Sequence, residues 1–230
     1  MEIIENIVNI SEGRQADVVE YILEAVKTTP ECFLLDVSSD KDHNRTVITF
    51  IGNRKSLPLA LKELYKRALE KIDLRRHKGE HPRMGAVDVV PFVPIQEITM
   101  EETVAFSKEI GKMIWENFKV PIYFYEESQP VRDRKNLALI RKGEFEGLPE
   151  KMKKPEWKPD IGETAPHPSA GASVVGARMP LIAFNVNLGT NDIKIANAIS
   201  KNVRGSSGGL ECVKAMGVEL KERNQVQVSM

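Results

Sequence analysis

Four histidines, at positions 43, 77, 81 and 167, carry most of the proton-transfer chemistry available to this sequence. Two fall in one string, His77-Lys78-Gly79-Glu80-His81-Pro82-Arg83-Met84-Gly85-Ala86. Rings at i and i+4 would share one helix face, as in a His-Glu-x-x-His metal site. Here Gly79 and Pro82 oppose a continuous helix, the glutamate directly precedes the second histidine, and no cysteine is near, so no metal is expected. A solvated basic loop remains, or an imidazole acting as general base, since a reference pKa of about 6.5 suits that task. Arg75, Arg76, Lys78 and Arg83 should disfavour the imidazolium and attract a carboxylate.

His43 lies in Asp42-His43-Asn44-Arg45, ordinary turn chemistry between two predicted strands. Arg45, at a strand entrance, could fork onto a carboxylate. The segment Pro166 to Arg178 is rich in Gly, Ala and Ser and reads either as a close backbone approach to a flat ligand or as a linker. Arg204-Gly205-Ser206-Ser207-Gly208-Gly209 could cradle an anion through its N–H groups, but it lacks the Lys-Ser/Thr of a P-loop.

The elements that must position these residues follow from periodicity. Ile3–Ile10, Cys32–Val37, Arg45–Gly52, Val87–Val93 and Ile122–Tyr125 read as strands, with Cys32–Val37 and Val87–Val93 expected to be buried. Val18 to Val26, Leu59 to Ile72 and Met100 to Phe118 have helical spacing. The order β-α-β-β-α-β is that of a split βαβ (ferredoxin-like) unit. Arg132 to Trp157 is charged, with short helical patches. Lys158 to Gly171 should be irregular and is a candidate subdomain boundary. Beyond it, Leu181–Leu188, a helix through Ile193 and Val203 capped by Thr190 or Asn191, Val213–Leu220 and Val226–Met230 give only β-α-β-β. The fold class is therefore α+β, with two tandem split βαβ subdomains, 1–178 and 179–230, the second incomplete. Self-association or a second chain would complete it.

Composition narrows the function classes. Lys+Arg and Asp+Glu are both 33, so the net charge is zero and bulk-charge binding to nucleic acid is not expected. No apolar run approaches the ~18–20 residues of a membrane span. The start, Met1 to Asn6, does not read as a signal peptide, and only Cys32 and Cys212 are present, so a cytoplasmic protein is expected.

Six strings in order resemble the formiminotransferase domain of the formiminotransferase-cyclodeaminase family. They are Val8 to Arg14, Asp42 to Val47, His77 to Ala86, Pro166 to Arg178, Leu181 to Leu188 and Arg204 to Gly209. The resemblance implies transfer of the formimino group of N-formimino-L-glutamate to N5 of tetrahydrofolate, in histidine degradation. It implies a fold of two tandem ferredoxin-like subdomains and tetrahydrofolate as co-substrate. It assigns the acid/base role to His81, the second histidine of its string. It assigns folate contact to Gly162, Glu163, Thr164, Ala165, Pro166, His167, Pro168, Ser169, Ala170 and Gly171. Both substrates carry carboxylates, so Arg45 and Arg83 are the expected clamps. The family's domain continues past the position of Met230, so one alternative is a folate-binding fragment without turnover. The residues do not separate formimino from formyl donors, so N5-formyl transfer at the same site is the other.

Overall fold

Every second residue of Ile3–Ile10 is buried, so the first strand (β1) turns Ile4, Asn6, Val8 and Ile10 to a core and Ile3, Glu5, Ile7 and Asn9 the other way. Arg45–Gly52 (β3) shows the same alternation, with Arg45, Val47, Thr49 and Ile51 on the less buried face. The computed structural model describes residues 1–129, 134–182, 184–220 and 223–230. Position 183 of the expected Leu181–Leu188 strand, and 132–133 of the charged stretch, lie outside them.

Two compact units appear, Met1–Met179 and Pro180–Met230. In the first, helices Ala16–Lys27 (α1), Ser56–Lys71 (α2) and Met100–Phe118 (α3) join strands Phe33–Asp40 (β2), β3, Val87–Gln96 (β4), Ile122–Phe124 (β5) and Ser173–Ala177 (β6). The sheet order is β2-β3-β1-β4-β6-β5, antiparallel from β2 to β4 and parallel from β4 to β5. One face carries the main core, in which Ile22, Phe50, Leu61, Tyr65 and Phe92 pack beneath the helices. Short helices Leu137–Arg141 (α4) and Glu144–Met152 (α5) cover the β4-β6-β5 half of the other face, through Met84, Val89, Tyr123, Ile140 and Leu148. Ile3, Ile7, Val47 and Ile51, on the β1-β3 half of that face, stay half-exposed.

Three expectations change. Strand β2 lies at the sheet edge, with Phe33 55% and Leu35 56% exposed, so an apolar run did not mean burial. The Gly/Ala/Ser-rich stretch before Leu181 contains β6, a fully buried strand between β4 and β5. Its small residues pass between neighbours: a Cβ on Gly176 would lie 2.4 Å from the Tyr125 carbonyl oxygen. The irregular Lys158–Gly171 stretch consequently runs inside the first unit and does not divide the chain.

The second unit has strands Asn185–Leu188 (β7), Met216–Leu220 (β8) and Gln225–Ser229 (β9) in the antiparallel order β7-β9-β8, with helix Ile193–Val203 (α6) against them. Ala196, Val226 and Val228 form its small core. The cap of α6 is Asp192, whose carboxylate accepts the Lys194 N–H, one residue beyond Asn191 and two beyond Thr190, the expected caps.

Candidate active site

The loop from His77 to Ala86 leaves α2 and enters β4, and backbone bonds fix its course. Glu80 N–H donates to the Asp42 carbonyl at 3.1 Å, and the Asn44 side chain donates to the Lys78 carbonyl at 3.0 Å. The loop is thereby laid over the β2–β3 turn so closely that a Cβ on Gly79 would lie 2.3 Å from the His43 carbonyl oxygen. At its far end, buried Asp88 accepts the N–H groups of Met84 and Gly85 at 2.8 and 3.0 Å through one carboxylate oxygen. The other oxygen takes Arg141 Nη2 and Nε at 2.5 and 2.9 Å, tying α4 to the loop.

These ties set two histidines to different tasks. His77 Nε2–H donates to the Asn44 carbonyl at 2.9 Å, and its Nδ1 accepts from Arg83 Nε at 3.1 Å. Both nitrogens are occupied, so His77 is a neutral crosslink. His81 is half-buried, and its Nε2 accepts from Arg45 Nη1 at 2.8 Å. Arginine only donates, so the His81 proton sits on Nδ1. That nitrogen is buried without a hydrogen bond among the described residues. Burial, then Arg45 and Arg141, push His81 down to about 4. The ring is neutral at pH 7, in the direction expected from nearby cations, but the cations differ from those expected. Arg75 is instead paired with Asp73 at 2.6 Å. His43 stands edge-on to His81, ring centroids 5.9 Å apart, with its Nδ1 2.8 Å from an Asp40 carboxylate oxygen.

The two expected carboxylate clamps separate. Arg83 is 7% exposed and engaged with Glu144 at 2.7 Å and with both carboxylate oxygens of Glu146 at 2.7 and 2.9 Å, so it anchors α5 and has no free donor fork for a ligand. Arg45 projects from the half-exposed face beside Asn9 and His81.

The Gly162–Gly171 stretch starts beside β5, where Ile161 pairs with Ile122, and ends beside the His81 loop, where Gly171 pairs with Gly85. Gly162 to Ala165 are exposed, Pro166, His167 and Ser169 half-buried, Pro168 exposed, and Ala170 and Gly171 buried. A turn closes it: His167 and Gly171 exchange backbone bonds at 2.8 and 2.9 Å, and His167 Nδ1 accepts the Ala170 N–H at 3.0 Å. Gly171 has φ +68°, and a Cβ there would lie 2.0 Å from the Met84 carbonyl oxygen. The glycine is thus required for the segment to reach the loop. Asp88, Arg141, Glu144 and Glu146 are absent from the residues singled out in the sequence. Only Asp88, a carboxylate inside an apolar strand, left a trace there. The Arg204–Gly209 loop is not an anion cradle: its Gly205, Ser207, Gly208 and Gly209 N–H groups all donate to backbone carbonyls. Among the described residues no three of His, Cys, Asp and Glu converge as metal ligands, and no helix is long and apolar enough to cross a membrane.

Fold and site together define an α+β protein that presents a neutral histidine and a cationic arginine at one end of a mixed sheet. Residues 3–178 match the model of the formiminotransferase domain, N-terminal subdomain. The chain is 49% identical over 229 residues to a glutamate formimidoyltransferase of Streptococcus pyogenes serotype M1, spanning all of this chain and 77% of that protein. It is 43% identical to a glutamate formimidoyltransferase of Thermoplasma acidophilum, covering 76% of it. It is 47% identical to a formimidoyltransferase-cyclodeaminase of Dictyostelium discoideum, of which it spans 44%. The chain belongs to the formiminotransferase family.

Proposed function

We propose that this chain transfers the formimino group of N-formimino-L-glutamate to N5 of tetrahydrofolate, releasing L-glutamate, with His81 as the acid/base residue. The observation that carries this is the neutral imidazole of His81, hydrogen-bonded to Arg45 on a fixed loop whose Gly85 pairs with Gly171, the end of the stretch that the family resemblance gives to folate. N5 attacks the amidine carbon. Its proton passes to His81 Nε2 as the tetrahedral adduct forms. The same proton then goes to the departing glutamate nitrogen as its C–N bond breaks, which returns the ring to neutrality. One positioned imidazole serving both steps typically contributes about 10²–10⁴-fold. Holding the two substrates together supplies a comparable or larger factor. Arg45 is the group placed to hold a substrate carboxylate.

We read β1-α1-β2-β3-α2-β4, with β3 between β1 and β2 and β1 between β3 and β4, as a split βαβ unit whose sheet β6 and β5 extend. The chain's two cysteines, far apart in the sequence, fit work in the cytoplasm.

The test is the ultraviolet signal of 5-formiminotetrahydrofolate formed from formiminoglutamate by the purified 230-residue chain. His81→Ala should lower kcat by about 10²–10⁴-fold with little change in folate affinity. Wild-type kcat in that variant would overturn the assignment; folate binding with no turnover by the parent chain would overturn the enzyme.

A further inference from the structure

The arginines of the first unit that are largely buried each meet a carboxylate: Arg83 meets Glu144 and Glu146, Arg141 meets Asp88, and Arg134 meets Asp160. Arg45 is half-buried and differs. Among the described residues no carboxylate oxygen lies within ion-pair distance of it, and its hydrogen bonds go to the Asn9 side chain at 3.3 Å and to His81 Nε2 at 2.8 Å. Two carboxylates, Asp40 and Asp88, act on it electrostatically without pairing with it, and the oxygens of both are engaged elsewhere. Asp40 sits directly across the β2–β3 pair from Arg45, but one of its oxygens accepts the N–H groups of Asp42 and His43 and the other holds the His43 ring. Asp88 is filled by Arg141, Met84 and Gly85. A half-desolvated guanidinium without an ion pair is costly, and a carboxylate ligand would relieve that cost with a charge-assisted fork about twice as strong as a neutral hydrogen bond.

The present partner of that guanidinium is the nitrogen that the proposed reaction needs. While Arg45 donates to Nε2, the lone pair is in use and the ring cannot accept the proton of an attacking amine. We propose that Arg45 is a specificity-determining residue that masks His81 in the free protein and releases it when a carboxylate of the group donor captures the guanidinium. The proposal rests on the reading of His81 as the acid/base residue. It explains how the site would favour an amidine bearing a carboxylate over a plain amidine: only the former unmasks the base. It also orders events, since donor recognition precedes proton transfer.

Charge makes the switch visible. The groups facing the His81 ring are Arg45 from β3, Arg141 from α4, Asp88 from β4, His43 from the β2–β3 turn with Asp40 at the end of β2, and His77 and Arg83 from its own loop. Of the cations, Arg45 weighs most in holding His81 low. Neutralising it with a bound carboxylate should raise the His81 titration by about one pH unit.

The experiment is a ¹⁵N-histidine NMR titration of the 230-residue chain, with His81→Gln identifying its signal. Glutarate, a dicarboxylate without an amidine, is one probe; glutaramide, its uncharged isostere, is the other. Glutarate should move the His81 titration up by about one pH unit and glutaramide should not. In Arg45→Gln the titration should already be up by about one pH unit and indifferent to glutarate. Arg45→Lys, which keeps the charge but not the fork, should leave it low and weaken the glutarate response. The unchanged signals of His77 and His167 report that each variant is folded. In parallel, the preference of kcat/KM for formiminoglutamate over formamidine should fall at least tenfold in Arg45→Gln. An unmoved His81 titration with glutarate, in a chain that turns over formiminoglutamate, overturns the mask and leaves the transferase standing. A moved titration in a chain without turnover keeps the mask and removes the transferase. A high His81 titration in the free parent chain overturns the mask outright.

Discussion

By residue type and spacing His77 and His81 look alike; beside the family resemblance, their hydrogen bonds separate them. His77 has both nitrogens in use between Asn44 and Arg83. His77→Ala should therefore cost stability, about 1–3 kcal/mol for the two stranded partners, while kcat stays within a few-fold. A urea melt beside the 5-formiminotetrahydrofolate assay checks this; equal kcat losses at positions 77 and 81 would contradict it. The sequence pointed to a neutral histidine in a basic loop, because residue type and reference pKa are local properties. It could not show which cations act on the ring. Arg45 and Arg141 arrive from β3 and α4, whereas the neighbours in the string turn outward or pair with acids. Arg83 is the clearest case: next to the site in sequence, it is removed from ligand binding by two glutamates some sixty residues away.

The elements were legible where periodicity is unambiguous and illegible where composition misleads. Helices α1 to α3 and strands β1 and β3 each turn one face to a core, and β4 is an apolar run buried on both faces. Strand β2 is as apolar as a central strand yet forms an edge, and β6 reads as a linker because close packing beside Tyr125 demands small residues there. The attachment of α4 to the His81 loop was invisible because it depends on one ion pair between distant residues, Asp88 and Arg141. That pair is the element-scale prediction. Asp88 is 2% exposed and the Arg141 side chain 12% exposed. Asp88→Asn keeps the shape but strands the arginine, so unfolding free energy should fall by about 3–5 kcal/mol. Hydrogen exchange should rise first at Met84, Gly85 and 137–141, where the lost contacts are. A variant with parental stability would show that the carboxylate charge does not hold the loop.

For the whole molecule, the apolar surface and the three depressed histidines have separable consequences. Leu181, Ile182, Phe184 and Met216 in the second unit are 72%, 83%, 64% and 61% exposed. Grouped exposure of this kind favours self-association, so sedimentation should show a weight-average mass that rises with concentration; a concentration-independent monomer would contradict this. The histidines act on stability through proton linkage. His81 is held at about 4, and burial also lowers His77 and His167. In the unfolded chain each titrates near 6.5. Below that pH the unfolded state binds protons that the folded state refuses. Stability is therefore fully present above about pH 6.5 and declines as pH falls toward 4. The carboxylates act in a lower window with the same sign. Asp73, held at about 2 by Arg75, and Asp40, lowered by His43, keep their charge in the fold after the unfolded chain has begun to lose it near 4. Melting temperatures should stay level between pH 8 and 7, fall from about pH 6.5, and fall further below about pH 4. His81→Gln should flatten the upper part of that fall, because glutamine has no proton to exchange, and leave the lower part in place. A melting temperature that rises between pH 7 and 5 would mean that these rings gain protons on folding, and the buried, uncharged His81 would have to be abandoned.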